Sequence, residues 1–101
     1  LTLPAMALGA SGVISVVSNL CPSRMSALVE AGLKGDFNKA RQIHYGLAPM
    51  FKAAFVSGNP SSIKYAMKLK GLPSGGMRLP LVEVHDKAKE IIKKALEECN
   101  L

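Results

Sequence analysis

The sequence predicts a mostly helical chain of about five helices, with one barrel-type strand near residues 12–17. Val13, Ile14, Val16 and Val17 form a nearly continuous β-branched run, and apolar residues recur at helical spacing after it. A continuous apolar run is typical of a strand buried on both faces of a parallel sheet. Because the sequence offers this strand no neighbour, we expect it to be the end of a larger α/β fold.

The length of the chain favours the same interpretation. Its 101 residues suit one small domain, whereas a complete (β/α)₈ barrel takes roughly 250. The first residue is Leu1, which fits a chain cut from a longer product.

Composition predicts a globular chain. Hydrophobic residues make up 49% and charged residues 20%, and no apolar run approaches the roughly 18 residues of a membrane helix. We therefore expect no membrane partner. Cys21 and Cys99 lie far apart without CxxC spacing, which favours two reduced thiols in a cytoplasmic protein.

The net charge of +6 raises the question of a nucleic-acid partner. The basic residues are spread over several segments, and those of the last helix alternate with glutamates. With no Trp, two Tyr and three Phe, few rings could stack on bases. We therefore expect a solvated basic surface and no nucleic-acid partner.

Apolar spacing and chain breakers set the predicted elements in order. A short helix over residues 2–8 leads into the strand, and Pro22 begins a helix that ends near residue 34. Asp36 is expected to cap the longest helix, which reaches residue 55. Pro60 begins the next, and residues 72–84 contain too many Pro and Gly for regular structure. The last helix starts at His85 or Asp86, with Asp86 as a second expected cap. Its expected ion pairs are Glu90 with Lys94 and Lys93 with Glu97.

The sequence contains no recognisable catalytic constellation. His44 and His85 are isolated, so we expect no zinc site, and they are expected to be surface or capping residues. Residues 71–76 lack the GK[ST] ending of a phosphate loop. The lysines lie on predicted helices, mostly facing solvent, so none is a convincing Schiff-base candidate. We expect no metal and no cofactor.

Taken in succession, several short motifs resemble the dihydrodipicolinate synthase family over essentially the whole chain. They are Leu1-Thr2-Leu3-Pro4, Gly12-Val13-Ile14-Ser15-Val16, Gly35-Asp36-Phe37, Gly58-Asn59-Pro60 and Arg78-Leu79-Pro80-Leu81. The last motif favours this family over sibling pyruvate-dependent aldolases such as N-acetylneuraminate lyase. Ser62 departs from a more proline-rich family pattern, which weakens the assignment to a subfamily.

The resemblance implies an α/β parent, a (β/α)₈ TIM barrel with a C-terminal helical region. Residues 1–20 would be its last helix and strand, and residues 21–101 its final barrel helix and helical region. The implied parent is a cytoplasmic, homo-oligomeric lyase of lysine and diaminopimelate biosynthesis. It condenses pyruvate with aspartate semialdehyde through a Schiff base to 4-hydroxy-tetrahydrodipicolinate, without a cofactor.

The resemblance also implies one substrate contact. The family's eighth strand turns a main-chain carbonyl toward bound pyruvate, and the matching residue here is Ile14. The family's Schiff-base lysine, proton-relay tyrosine and threonine, and carboxylate-binding arginine lie on earlier strands and loops. Tyr45 and Tyr65 do not match them. The chain alone is therefore expected to be inactive and to pair with the rest of the barrel or with copies of itself.

Two alternatives stay open at this point. One is a sibling pyruvate-dependent aldolase with a different product. The other is a free-standing basic helical module that binds acidic partners or RNA.

Overall fold

The computed structural model describes residues 1–101, and its regular structure is entirely helical. The α-helices are α1 (Thr2–Ala7), α2 (Pro22–Leu33), α3 (Phe37–Ala53), α4 (Ser61–Leu69) and α5 (Asp86–Glu98). A short 3₁₀ helix spans Val16–Asn19. The prediction of about five helices is confirmed. None of these helices combines the length and the apolar character of a membrane span.

The predicted strand over residues 12–17 is not formed, so that prediction is corrected. Ser15 is extended, with φ −124° and ψ 134°, but the chain then coils into the 3₁₀ helix. Residues 11–14 make no backbone hydrogen bond to any part of the chain. A parallel strand exists only when neighbouring strands accept and donate its backbone hydrogen bonds, and this chain contains no such neighbour.

Helix α3 is the central element of the bundle and contacts α1, α2 and α5. Leu47 and Met50 of α3 are fully buried together with Leu28 of α2 and Ile92 of α5. Helix α1 packs closely on α2 at Gly32. A Cβ atom added at this residue would lie only 2.7 Å from Cε of Met6. Glycine at residue 32 therefore permits this close approach.

Of the two helix caps predicted from aspartates, one is observed and one is replaced by the neighbouring residue. Oδ1 of Asp36 accepts a hydrogen bond from the backbone N–H of Lys39, as expected of a cap. His85, not Asp86, caps α5, since its Nδ1 accepts from the N–H of Ala88. Asp86 is instead the first residue of α5.

The ion pairs on α5 differ from the predicted ones, and two of the three join residues three positions apart instead of four. The pairs are Lys89 with Asp86, Lys93 with Glu90, and Lys94 with Glu98. The carboxylate of Asp86 does not cap α5 and lies 2.8 Å from Nζ of Lys89.

Candidate functional site

Residues 12–17 form one wall of an open, mainly apolar cavity of about 390 Å³, which we call the segment cavity. Its other walls come from α1 and from the C-terminal end of α3. The lining comprises Leu1, Thr2, Ala5, Phe51, Phe55 and residues 12–17. The cavity therefore lies where the sequence predicts a strand, and its walls offer few polar groups.

Ile14, the one predicted substrate-contact residue, lies on the rim of this cavity. Its side chain is fully exposed, whereas the side chain of Val17 is 1% exposed and belongs to the core. The main-chain carbonyl of Ile14 accepts no hydrogen bond from the chain. The apolar run is thus divided, with its beginning in solvent and its end anchored in the bundle.

Ser15 and Ser18 are engaged in local structure beside the segment cavity. The Oγ of Ser18 donates a hydrogen bond to the main-chain oxygen of Ser15, three residues earlier. That oxygen also accepts from the N–H of Ser18. These bonds close the 3₁₀ turn, so Ser18 stabilises the turn that carries Val17 into the core.

The two histidines lie apart, and neither joins a metal-ligand group. Nδ1 of His44 is buried without a hydrogen-bond partner, beside the rings of Tyr45 and Phe51. Burial, and then the charge of the N-terminus, lower the pKa of His44 below 6.5. His85 is committed to capping α5. The structure contains no cluster of three or more His, Cys, Asp or Glu side chains that could hold a metal ion.

Both cysteines are free thiols in the core. Burial is the main cause that raises the pKa of Cys21 and of Cys99 above 9.0. A raised pKa keeps a thiol protonated, and thiolate is the reactive form. Neither cysteine is therefore suited to act as a nucleophile at neutral pH.

A second concavity, which we call the loop cavity, lies between α4, the start of α5 and residues 74–77. It has a volume of about 220 Å³, and its lining includes three lysines, Lys64, Lys68 and Lys89. Sequence reasoning missed it. The sequence shows that Lys64 and Lys68 are one helical turn apart and that they precede the Gly75-Gly76 pair, but not that the two segments meet.

Comparison with known proteins gives the family. The model of the dihydrodipicolinate synthetase family matches residues 1–99. A 4-hydroxy-tetrahydrodipicolinate synthase of Methanocaldococcus jannaschii is 46% identical over all 101 residues of the chain and 35% of its own length.

Solved structures agree with this match. A crystal structure of dihydrodipicolinate synthase from Aquifex aeolicus superposes with a TM-score of 0.91 at 42% identity, over 98% of this chain and 34% of the other. A pyruvate complex of the Acinetobacter baumannii enzyme superposes with a TM-score of 0.91 at 31% identity, over 97% and 34%. The chain therefore spans about a third of the length of the relatives it matches. A family match over 99 of 101 residues, supported by the shared fold, shows that the chain belongs to the dihydrodipicolinate synthetase family.

Proposed function

We propose that these residues are the C-terminal third of a lyase that condenses pyruvate with aspartate semialdehyde through a Schiff base. The product would be 4-hydroxy-tetrahydrodipicolinate, in lysine and diaminopimelate biosynthesis in the cytoplasm. The observation that carries the proposal is the family match over residues 1–99. The pyruvate bound to the Acinetobacter baumannii relative supports pyruvate as one substrate.

The exposed surface supports the view that the chain needs a partner. A compact monomer of 10.7 kDa exposes about 5,500 Å², whereas this chain exposes 6335 Å². Part of the excess is apolar, since Leu1, Leu8 and Ile14 are each more than nine-tenths exposed. Large exposed apolar surface is typical of an interface.

Unpaired backbone groups indicate what kind of partner would fit. Residues 11–14 present four free N–H groups and four free carbonyls in a row. Such a row is a template for strand addition. We propose that residues 1–20 are the last helix and strand of a barrel, that residues 21–101 are its final helix and helical region, and that neighbouring strands complete residues 12–17.

Ile14 would then contribute its main-chain carbonyl to the pyruvate site. Barrel active sites form at the carboxyl ends of the strands, and the resemblance matches Ile14, within the proposed strand, to the family's main-chain contact with pyruvate. Its carbonyl has no partner within the chain and is free to accept one. The Schiff-base lysine would come from the missing part of the barrel, so the chain alone would be inactive.

Complementation tests this proposal. The chain is mixed with the first two-thirds of the Methanocaldococcus jannaschii relative, and condensation of pyruvate with aspartate semialdehyde is measured. We expect activity from the mixture and none from either part. Activity of the chain by itself would contradict the predicted inactivity, and an inactive mixture in which the two parts bind would contradict the proposed reaction.

A matched pair of variants tests the interface. Ile14→Asp introduces a charge on a side chain that is fully exposed in this chain, so the bundle stays folded while complementation is lost. Leu79→Asp introduces the same charge on another exposed side chain, 87% exposed, outside the segment cavity. It should leave complementation unchanged. Equal loss in both variants would argue against residues 12–17 as the interface.

Pairing of copies is the other expected association, and light scattering measures it. Without its complement, the chain should scatter as a species larger than its 10.7 kDa monomer. A monodisperse monomer would show that the segment cavity does not recruit a second copy.

A further inference from the structure

We infer that the loop cavity is a binding site for a small phosphate-bearing anion. It shares no lining residue with the segment cavity. The inference therefore does not depend on the proposed barrel activity.

The charge of the cavity is the first argument. Lys89 is paired with Asp86, but neither Lys64 nor Lys68 forms an ion pair. The two ammonium groups lie on successive turns of α4, where like charges destabilise the helix. Glu83 is the one carboxylate in the lining. An anion bound between Lys64 and Lys68 would relieve their repulsion.

The loop opposite α4 supplies neutral donors. The backbone N–H groups of residues 74–77 donate no hydrogen bond within the chain. Gly75 has φ +60°, the left-handed region, which turns the backbone sharply at this point. Consecutive free N–H groups in such a turn form a concavity that favours anions.

Lys64 fixes the loop at hydrogen-bond distance from α4. Its Nζ donates to the carbonyl oxygen of Gly76 at 2.6 Å, and two of its three N–H donors remain for a ligand. The Oγ of Ser61 holds the far end of the connection through the carbonyl of Val82, at 3.0 Å. The cavity is therefore preorganised before a ligand arrives.

Volume limits the ligand. Drug-sized ligands occupy pockets of about 300 to 1,000 Å³, and this cavity holds about 220 Å³. Val84, Met77 and Tyr65 line part of it. Inorganic phosphate, or a phosphate monoester with a small organic group, fits this combination of charge and space.

Titration followed by ¹H–¹⁵N NMR tests the inference in the 101-residue chain. Inorganic phosphate and methyl phosphate are added in separate series, with chloride at equal ionic strength as the reference. We expect saturable shifts of the amides of residues 74–77 in at least one series. Tighter binding of methyl phosphate would identify an organic phosphate as the better ligand, and equal or tighter binding of inorganic phosphate would identify the free ion. Shifts that do not saturate, or that equal those with chloride, would overturn the inference.

Charge variants supply the matched control. Removing a charge-assisted hydrogen bond weakens binding by roughly tenfold, so Lys68→Gln should raise the phosphate Kd by about that factor. Lys34→Gln removes an equal charge from an exposed residue at the end of α2, outside the cavity. It should leave the Kd unchanged. An equal effect of the two variants would show that only the net charge attracts phosphate and would overturn the proposed site.

Discussion

Arg24 of α2 donates a hydrogen bond from Nη1 to the main-chain oxygen of Cys99, the C-cap residue of α5, 75 positions later in the chain. A cation at the carboxyl end of a helix is stabilised by the helix dipole. This contact joins the second helix to the last one, beside the buried thiols.

Replacing Arg24 by Leu should lower the free energy of unfolding by roughly 1.5 to 3 kcal/mol, because the Cys99 carbonyl would lose a charged donor. Urea denaturation measures the change. Lys34→Leu, which removes an exposed charge without a hydrogen bond, is the control and should change stability little. A similar loss in both variants would show that the Arg24 contact contributes nothing specific.

Gly46 lies against the same guanidinium. A Cβ atom at residue 46 would lie 2.9 Å from Nη2 of Arg24. Alanine in a helix interior is favoured over glycine by about 1 kcal/mol, so the outcome depends on whether Arg24 can move. Because the Cys99 carbonyl holds Arg24, Gly46→Ala should destabilise the natural chain and stabilise the Arg24→Leu variant. Urea denaturation of the natural chain, the two single variants and the double variant checks it. A stability change of the same sign on adding Gly46→Ala to both backgrounds would contradict the packing described.

The centre of the bundle should be intolerant of truncation. Leu47→Ala, at a fully buried residue, should cost about 2 to 5 kcal/mol through lost burial and the cavity it leaves. Leu79→Ala makes the same chemical change at a residue that is 87% exposed, and it should stay within about 0.5 kcal/mol. Equal denaturation midpoints for the two variants would refute the assignment of the core.

The helices could be predicted well from the sequence, whereas the strand could not. Helix hydrogen bonds close within one segment, so apolar spacing and breakers such as Pro22 and Gly35 were enough to predict α2. A strand needs a partner elsewhere, and the run around Ile14 carries no information on whether that partner is present. The same limit explains the caps on α5: His85 and Asp86 are adjacent candidates, and only three-dimensional geometry selects His85.

Ile14 and the loop cavity also differ in whether the sequence could point to them. The resemblance led to Ile14 through one matching motif, although its predicted role remains a proposal. The loop cavity escaped notice because its lysines and its glycines belong to segments that meet only after folding.

Acid should weaken the fold through His44. Burial lowers the pKa of His44 in the folded chain below its ordinary 6.5, so the unfolded chain binds the proton more readily. Stability from this group is present above pH 6.5 and falls as the pH drops through that value toward the folded pKa. His44→Phe should flatten this part of the stability curve, measured by urea denaturation between pH 7.5 and 5. An unchanged curve would assign the pH dependence to other groups.

The thiols should be protected by folding. Burial raises the pKa of Cys21 and Cys99 above 9.0, so folding favours the protonated thiols and their contribution to stability is lost as the pH rises above 9.0. At pH 8, iodoacetamide should label both thiols slowly in the native chain and rapidly in urea, as counted by intact mass. Equally fast labelling in the two conditions would contradict their burial.

The unbonded amides of residues 11–14 turn this stretch into a natural reporter of assembly. Alone, these amides should exchange with deuterated water almost as fast as those of an unstructured peptide, because nothing in the chain protects them. Once strands from a complementary polypeptide flank them, their exchange should slow while that of α3 changes little. Barrel closure could thus be timed residue by residue without any attached label.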